Sequence, residues 1–111
     1  METMGIEDRN AAAFADRVLG SLNAGAVCLM TSIGHRTGLF DTMSDMDPAT
    51  SAETAAAAGL DERYVREWLG AMVTSGVVDL VGSDHLTFQL PGEHAALLTR
   101  AAGADNMAMF T

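Results

Sequence analysis

The chain has 111 residues, which is the size of one domain that can bury a core without disulfides or metals. Apolar residues make up 49% and aromatic residues 5% of it, with alanine abundant, which favours a soluble and mainly helical protein. The net charge is −9 and there is no lysine, a balance that argues against binding to phosphate backbones.

The single cysteine, Cys28, excludes an internal disulfide and fits a reducing, cytoplasmic location. Its apolar neighbourhood predicts a buried small side chain rather than a reactive thiol. The N-terminus lacks the basic flank of a signal peptide. The stretch from Val18 to Gly34 is uncharged over 17 residues, but it falls short of a membrane span and contains several polar residues and glycines. No membrane segment is therefore predicted.

In chain order, residues 1–9 are predicted to be a flexible lead-in, and residues 10–37 a long helical region. Large apolar residues recur on one face of this region at steps of about four, seven and eleven; they are Phe14, Val18, Leu22, Leu29, Ile33 and Phe40. Around Leu22 to Ile33 the helix is apolar nearly all round, so we expect it to be covered on more than one side, in part by another chain. Glycines near Asn23 leave open whether this is one helix or two.

After Gly38, residues 41–48 are predicted to be a polar connection. Thr50 and Glu53 form a capping box for a short alanine-rich helix from Ser51 to Ala58, which Gly59 ends. Asp61 caps the next helix, which runs to Gly76. Its apolar face has a period of 3.6 and consists of Tyr64, Val65, Trp68, Leu69, Met72 and Val73. Two helices joined by so tight a turn predict a helix-turn-helix.

The period then changes to two, which predicts strands at Val77 to Val81 and at His85 to Leu90 around a turn at residues 82–84. Pro91 opens a last helix to about Arg100. The fold class predicted is mainly α, a winged helix-turn-helix with a long N-terminal helical region and a small β-hairpin wing. Residues 10–100 form this domain, and residues 101–111 are predicted to be a linker towards a further, C-terminal domain.

The sequence contains no catalytic motif of its own. No two glycines stand two apart, so the glycine-rich turn of a nucleotide or S-adenosylmethionine site is missing. The three histidines lack metal-ligand spacing, and no serine lies in a nucleophile elbow. We therefore expect no catalytic, cofactor-binding or metal-binding residue in this chain.

The helix from Asp61 to Gly76 invites a DNA-recognition interpretation, but its charges argue against it. Residues 39–99 carry ten acidic residues against Arg63 and Arg66, a net of −8. A contact set that neutralises phosphates needs several cations, so this surface should repel DNA. The two arginines are expected to pair with Glu62, Glu67 or neighbouring acids. Tyr64 and Trp68 are predicted to be core or domain-interface anchors.

Two polar pairs have competing interpretations. His35 and Arg36 either end the long helix, where cations favour the helix dipole, or face a ligand cavity. Glu93 and His94 are expected to start the last helix rather than to act as a catalytic pair.

Three segments carry a resemblance to a known family: FADRVLGSLNAGAVCLMTSIGHRTGLFD, ATSAETAAAAGLDERYVREWLGAMVTSGVV and LPGEHAALLTRAAGADN, with GHRTGLFD and LDERYVREWL the most specific parts. Together they resemble the N-terminal winged-helix domain of bacterial class I S-adenosylmethionine-dependent methyltransferases. The resemblance covers about nine-tenths of the chain.

This resemblance implies a domain that packs on a Rossmann-like methyltransferase domain, helps to form a homodimer through the long N-terminal helices, and encloses the substrate. The cofactor S-adenosylmethionine would belong to the downstream domain. By position in the family signature, Met30, His35 and Arg36 are the substrate-facing candidates. The alternatives are a stand-alone transcriptional regulator that binds DNA and a pure oligomerisation module.

Overall fold

A computed structural model describes residues 5–82 and 84–111. In chain order the elements are α1 (Ile6–Arg36), α2 (Leu39–Ser44), α3 (Ser51–Ala58), α4 (Glu62–Thr74), β1 (Asp79–Val81), β2 (Thr87–Gln89), α5 (Gly92–Leu98) and two 3-10 helices (Arg100–Asp105 and Ala108–Phe110). The predicted class is confirmed, since a mainly helical domain carries a helix-turn-helix followed by a two-stranded wing.

The N-terminal region is one continuous helix of 31 residues. It begins at Ile6, so residues 6–9 belong to α1 and not to the predicted lead-in, while residues 1–4 lie outside the described part. Glu7 and Asp8 favour this early start, because acidic side chains in a first turn stabilise the positive end of the helix. Of the two interpretations left open at Asn23, the single helix is the one observed.

The helix α2 was not expected, because residues 41–48 were predicted to be a polar connection. Gly38, with a φ of 77°, turns the chain after α1 so that Leu39, Phe40 and Met43 point into the core, each no more than 3% exposed. A helix of six residues is too short to show a period in the sequence, and tertiary packing stabilises it instead.

The helix-turn-helix forms as predicted. The Thr50 hydroxyl accepts from the Glu53 amide at 3.2 Å, and the Glu53 carboxylate accepts from the Thr50 amide at 3.0 Å, which completes the capping box at the start of α3. Gly59 ends α3 in the left-handed conformation, and the Asp61 carboxylate caps α4 by accepting from the Arg63 amide at 2.9 Å. These local signals fix the ends of both helices.

The wing is an antiparallel hairpin in which Leu80 lies opposite Phe88. Both strands are shorter than predicted. The amides of Val77 and Val78 donate to the Met72 carbonyl at the end of α4, so these two residues are not part of the strand ladder. Of the predicted turn at residues 82–84, Ser83 lies outside the described residues. A bridge between Ala49 and Phe88 ties the hairpin to the segment before α3.

The core lies where α1, α2 and α4 meet. The rings of Phe40 and Trp68 pack edge to face, with centroids 5.3 Å apart and planes at 61°. The Trp68 indole donates from Nε1 to the Met30 carbonyl at 2.8 Å, which joins α4 to α1. The buried cluster consists of Leu39, Phe40, Met43, Ala55, Val65, Trp68, Leu69, Met72, Val78, Phe88, Leu90 and Ala108.

Residues 101–111, predicted to be a linker, fold back onto the domain as 3-10 helices. Arg100 pairs with the Asp41 carboxylate, which also accepts from the Arg100 amide at 2.8 Å. Farther along, the Met107 amide donates to the Leu97 carbonyl at 2.7 Å, and Ala108 is 1% exposed against α1. The last α-helix ends at Leu98, two residues earlier than predicted.

The close packing at Gly34 gives a first prediction. A Cβ at this position would lie 2.5 Å from Phe40 Cε2 and 2.6 Å from Trp68 Cζ2, inside van der Waals contact. We expect Gly34→Ala to lower the free energy of unfolding by about 1–3 kcal/mol, the usual cost of overpacking a core. In α4, a Cβ at Gly70 would meet nothing within 4 Å. Gly70→Ala should therefore raise the free energy of unfolding by up to about 1 kcal/mol. Urea denaturation of both variants measures the contrast, and equal effects would contradict this account.

The capping box gives a second prediction. Thr50→Ala should lower the free energy of unfolding by about 1 kcal/mol. The control is Thr74→Ala, which removes a hydroxyl that donates to the Gly70 carbonyl within α4. It should change the free energy of unfolding by no more than about 0.5 kcal/mol.

The box also predicts a pH dependence. The hydrogen bond from the Thr50 amide, followed by the one with its side chain, lowers the pKa of Glu53. Stabilisation by the carboxylate is therefore complete above its unfolded-state pKa and is lost as the pH falls through the folded-state pKa. The stability difference between the wild type and Glu53→Gln should shrink in that acidic range, and a difference that grows there would contradict the assignment.

Candidate functional site

A groove of about 820 Å³ lies between α1 and α4. The Trp68 indole joins the two helices by donating to the carbonyl of Met30, a residue that also lines the groove. Its lining residues are Asn23, Ala26, Val27, Met30, Arg66, Glu67, Gly70, Ala71, Met72, Thr74 and Ser75.

The chemistry of this groove is that of a binding surface. Val27, Met30 and Met72 give it an apolar floor, while Arg66 and Glu67 offer charge at one rim. Gly70 and Ala71 keep the α4 wall low, which leaves room for a bulky group. Such a surface can hold an apolar molecule or a helix by packing and orient it by hydrogen bonds at the rim. Within residues 5–82 and 84–111, no three His, Cys, Asp or Glu side chains converge as metal ligands would.

Of the three substrate-facing candidates, only Met30 lines this groove. His35 lies in the last turn of α1, half-buried, and its Nδ1 is buried without a hydrogen-bond partner. Arg36 is exposed and donates from Nε to the Ser32 hydroxyl at 3.1 Å. Both residues therefore lie in the last turn of α1, as the first interpretation has it, and neither lines the groove.

Sequence patterns missed the α4 wall of the groove. Gly70 and Thr74 follow Arg66 at steps of four, so they share one side of α4, a relation that could have been read from the spacing. The anchoring role of Trp68 was only partly expected, because its partner is a backbone carbonyl 38 positions away in the chain. No local pattern encodes such a contact.

On the charged side of α4, Arg66 is held in an ion pair within the helix. Arg66 lies 3.8 Å from Glu62, one turn earlier, as predicted. The Glu62 carboxylate also accepts from the Ser51 hydroxyl at 2.6 Å, which links α4 to α3. Pairing of this kind removes a cation from the surface that a recognition helix would present to DNA.

Most of α1 is uncovered. Large apolar residues form a stripe along it, which we call the outer stripe: Phe14, Val18, Leu22, Leu29 and Ile33, with exposures from 42% to 66%. Of the α1 residues only Thr31 and Gly34 are buried, so this chain by itself does not cover the helix on more than one side, and the predicted cover by another chain stays a prediction. For the same reason Cys28, predicted to be buried, is exposed.

Tyr64 is also exposed, at 71%, and so is not part of the core of this chain. It borders a crevice of about 230 Å³ with Ile33 and Leu60. By length and composition α1 could cross a bilayer, although core helices of soluble proteins meet the same requirement.

This chain is similar to known proteins in sequence and in structure. A family model described as an Rv2258c-like winged HTH domain matches residues 25–100. The search of curated proteins found no match.

Three solved structures share the fold. Human N-acetylserotonin methyltransferase, in complex with SAM, matches 77% of this chain at 18% identity and a TM-score of 0.65. The mitomycin 7-O-methyltransferase MmcR matches 81% at 27% identity and a TM-score of 0.62. The chain spans only 26% of the length of each of these two proteins. A multiple antibiotic-resistance repressor from Listeria monocytogenes matches 97% of this chain, and 78% of its own, at 11% identity and a TM-score of 0.51.

The electrostatics of α4 and the wing give a further prediction. At moderate salt, duplex DNA should show no mobility shift with this chain, because Arg66 is paired and acidic residues dominate the helix-turn-helix. Glu62→Ala, which frees Arg66, should also leave the DNA unshifted, since one cation cannot replace several phosphate contacts. A sequence-specific shift by the wild type would overturn this expectation and favour a regulator.

Proposed function

Since the chain belongs to the family of Rv2258c-like winged helix-turn-helix domains, we propose that it is the substrate-enclosing and dimerising domain of an S-adenosylmethionine-dependent methyltransferase. The observation that carries this proposal is a fold match that covers most of the chain but only about a quarter of each methyltransferase. The rest of each methyltransferase has no counterpart in this chain. A second domain would therefore supply the transferase chemistry.

The second domain would bind S-adenosylmethionine, which would supply an activated methyl group. The residues of this chain would act passively, by binding, orienting and excluding water. The groove between α1 and α4 supports this role, because an apolar floor with a polar rim suits an organic methyl acceptor. Met30 would touch the acceptor there.

His35 and Arg36 are proposed as substrate-facing groups at the end of α1. The buried and unpartnered Nδ1 of His35 supports this assignment, because buried polar atoms normally have a partner. A hydroxyl or carbonyl of the acceptor could supply one. Arg36 is exposed beside it and would bring positive charge.

The outer stripe supports the dimerising part of the proposal. Contiguous exposed apolar surface of this extent on a soluble protein marks an interaction site. A homodimer through α1, with the methyltransferase domain as a further partner, would cover it. We propose a cytoplasmic location, which agrees with a single free cysteine.

The alternative function, that of a transcriptional regulator that binds DNA, has less support. Its one structural relative reported above is 11% identical, which establishes a common fold and nothing about DNA. The acidic charge of the helix-turn-helix opposes phosphate contacts.

The test compares this chain alone with a polypeptide that joins it to a methyltransferase domain. Calorimetry with S-adenosylmethionine should give no heat of binding for the chain alone and saturable binding for the joined protein. In the joined protein, Met30→Trp narrows the groove and should raise KM for the methyl acceptor by about tenfold or more, with the affinity for S-adenosylmethionine unchanged.

Leu86→Trp is the matched control, because Leu86 lies on the wing, 64% exposed and outside the groove lining. This substitution should change neither KM for the methyl acceptor nor the affinity for S-adenosylmethionine. Binding of S-adenosylmethionine by the chain alone, or equal effects of the two substitutions on KM, would refute the proposal.

A further inference from the structure

Apart from Arg66, the polar side chains on the α4 wall of the groove can accept hydrogen bonds but have none to donate. The Thr74 hydroxyl donates to the Gly70 carbonyl at 2.9 Å, and the Ser75 hydroxyl donates to the Ala71 carbonyl at 2.9 Å. A hydroxyl whose proton is engaged in this way offers a ligand only its lone pairs. Glu67 adds a carboxylate, which is also an acceptor.

The charge at this rim of the groove is negative. Arg66 supplies a cation, but its Nε lies 3.8 Å from the Glu62 carboxylate one turn earlier. The carboxylate of Glu67 has no ion pair or hydrogen bond within residues 5–82 and 84–111. Two carboxylates against one guanidinium leave a net charge of −1 here, on a chain whose net charge is −9. This rim therefore attracts a cation and repels an anion.

The spacing of the acceptors leaves room for an apolar molecule between them. Glu67 and Thr74 are seven residues apart, which places them on one side of α4 and about 10 Å apart along its axis. Gly70 and Ala71 lie between them, and a Cβ at Gly70 would meet nothing within 4 Å. The apolar side chain of Met30 lines the same groove from α1. An elongated molecule with an apolar body and a donor at each end therefore fits along this wall.

We infer that the groove binds an apolar molecule that carries a protonated amine, with the ammonium group at Glu67. An ammonium group has three donors and no acceptor, so it matches a wall that offers acceptors. A carboxylate or phosphate in its place would set acceptors against acceptors and would be repelled by the Glu67 carboxylate. The inference rests on the function proposed above and names the class of methyl acceptor, a basic amine, which the groove recognises by its charge.

Nuclear magnetic resonance of the isotope-labelled intact chain tests this inference with three probes. Tyramine, 2-(4-hydroxyphenyl)ethanol and 4-hydroxyphenylacetate share a 4-hydroxyphenyl group and are cationic, neutral and anionic in that order. Tyramine should shift the amide resonances of the groove lining and bind about two- to fivefold more tightly than the neutral alcohol, which is the range for one exposed ion pair. The anionic acid should bind most weakly.

Two substitutions that remove the same charge separate a local contact from the overall field. Glu67→Gln should abolish the preference for tyramine over the neutral alcohol and leave the affinity for the alcohol unchanged. Glu93→Gln is the matched control, because Glu93 is exposed on α5 and lies outside the groove lining. It should leave the preference for tyramine as it is in the wild type.

Equal affinities for the three probes, or equal effects of the two glutamine substitutions, would overturn the inference and show that Glu67 is only a solvated surface acid. Shifts confined to residues outside the groove, or no shifts with any probe, would overturn it as well. None of these results bears on whether the joined protein binds S-adenosylmethionine and responds to Met30→Trp. The failure of the amine assignment is therefore distinguishable from a failure of the proposed function.

Discussion

The contact between Trp68 and α1 is the constraint on which the rest of the structure depends. The indole of Trp68 donates to the Met30 carbonyl, and its ring packs on Phe40 above Gly34, where a side chain as small as a methyl group would collide. This arrangement fixes the point at which α4 meets α1. The groove lined by both helices lies beside this contact, since Met30 is part of its lining. The helix-turn-helix supplies one wall of it, and the long helix supplies the other.

The same contact divides α1 into two parts with different roles. Its C-terminal part shares a core with α2, α4 and the last 3-10 helix, whereas its N-terminal part extends away with its apolar residues in solvent. Such an exposed surface has a free-energy cost that a partner can offset. The winged unit, by contrast, is well packed inside and acidic outside. The acidic charge of this unit opposes contacts with DNA phosphates, and the apolar residues of α1 are left uncovered by it.

Local signals in the sequence predicted the helix-turn-helix closely. The Thr50 and Glu53 capping box, the left-handed Gly59 and the Asp61 cap each act within four residues of themselves, so the sequence contains all that they need. The wing was predicted as a hairpin, but its strands are shorter than predicted. The Met72 carbonyl accepts hydrogen bonds from the amides of Val77 and Val78, which keeps these residues out of the first strand. Helix α2 was missed, since its stability comes from burying Leu39, Phe40 and Met43 rather than from its own pattern. Of the candidate site, Met30 was predicted, whereas Gly70 and the α4 wall were not.

The sequence by itself determined the caps of the two helices in the helix-turn-helix, the winged helix-turn-helix class and the acidic charge, because caps, periodicity and composition are local or additive properties. Only the tertiary structure decided which apolar residues are covered. Phe40 and Phe14 fit the same periodic pattern, yet one is fully buried and the other is 61% exposed. The physical reason is that periodicity defines a face of a helix, whereas burial requires a second element to lie against that face. In this chain α4 and α2 reach only the C-terminal part of α1.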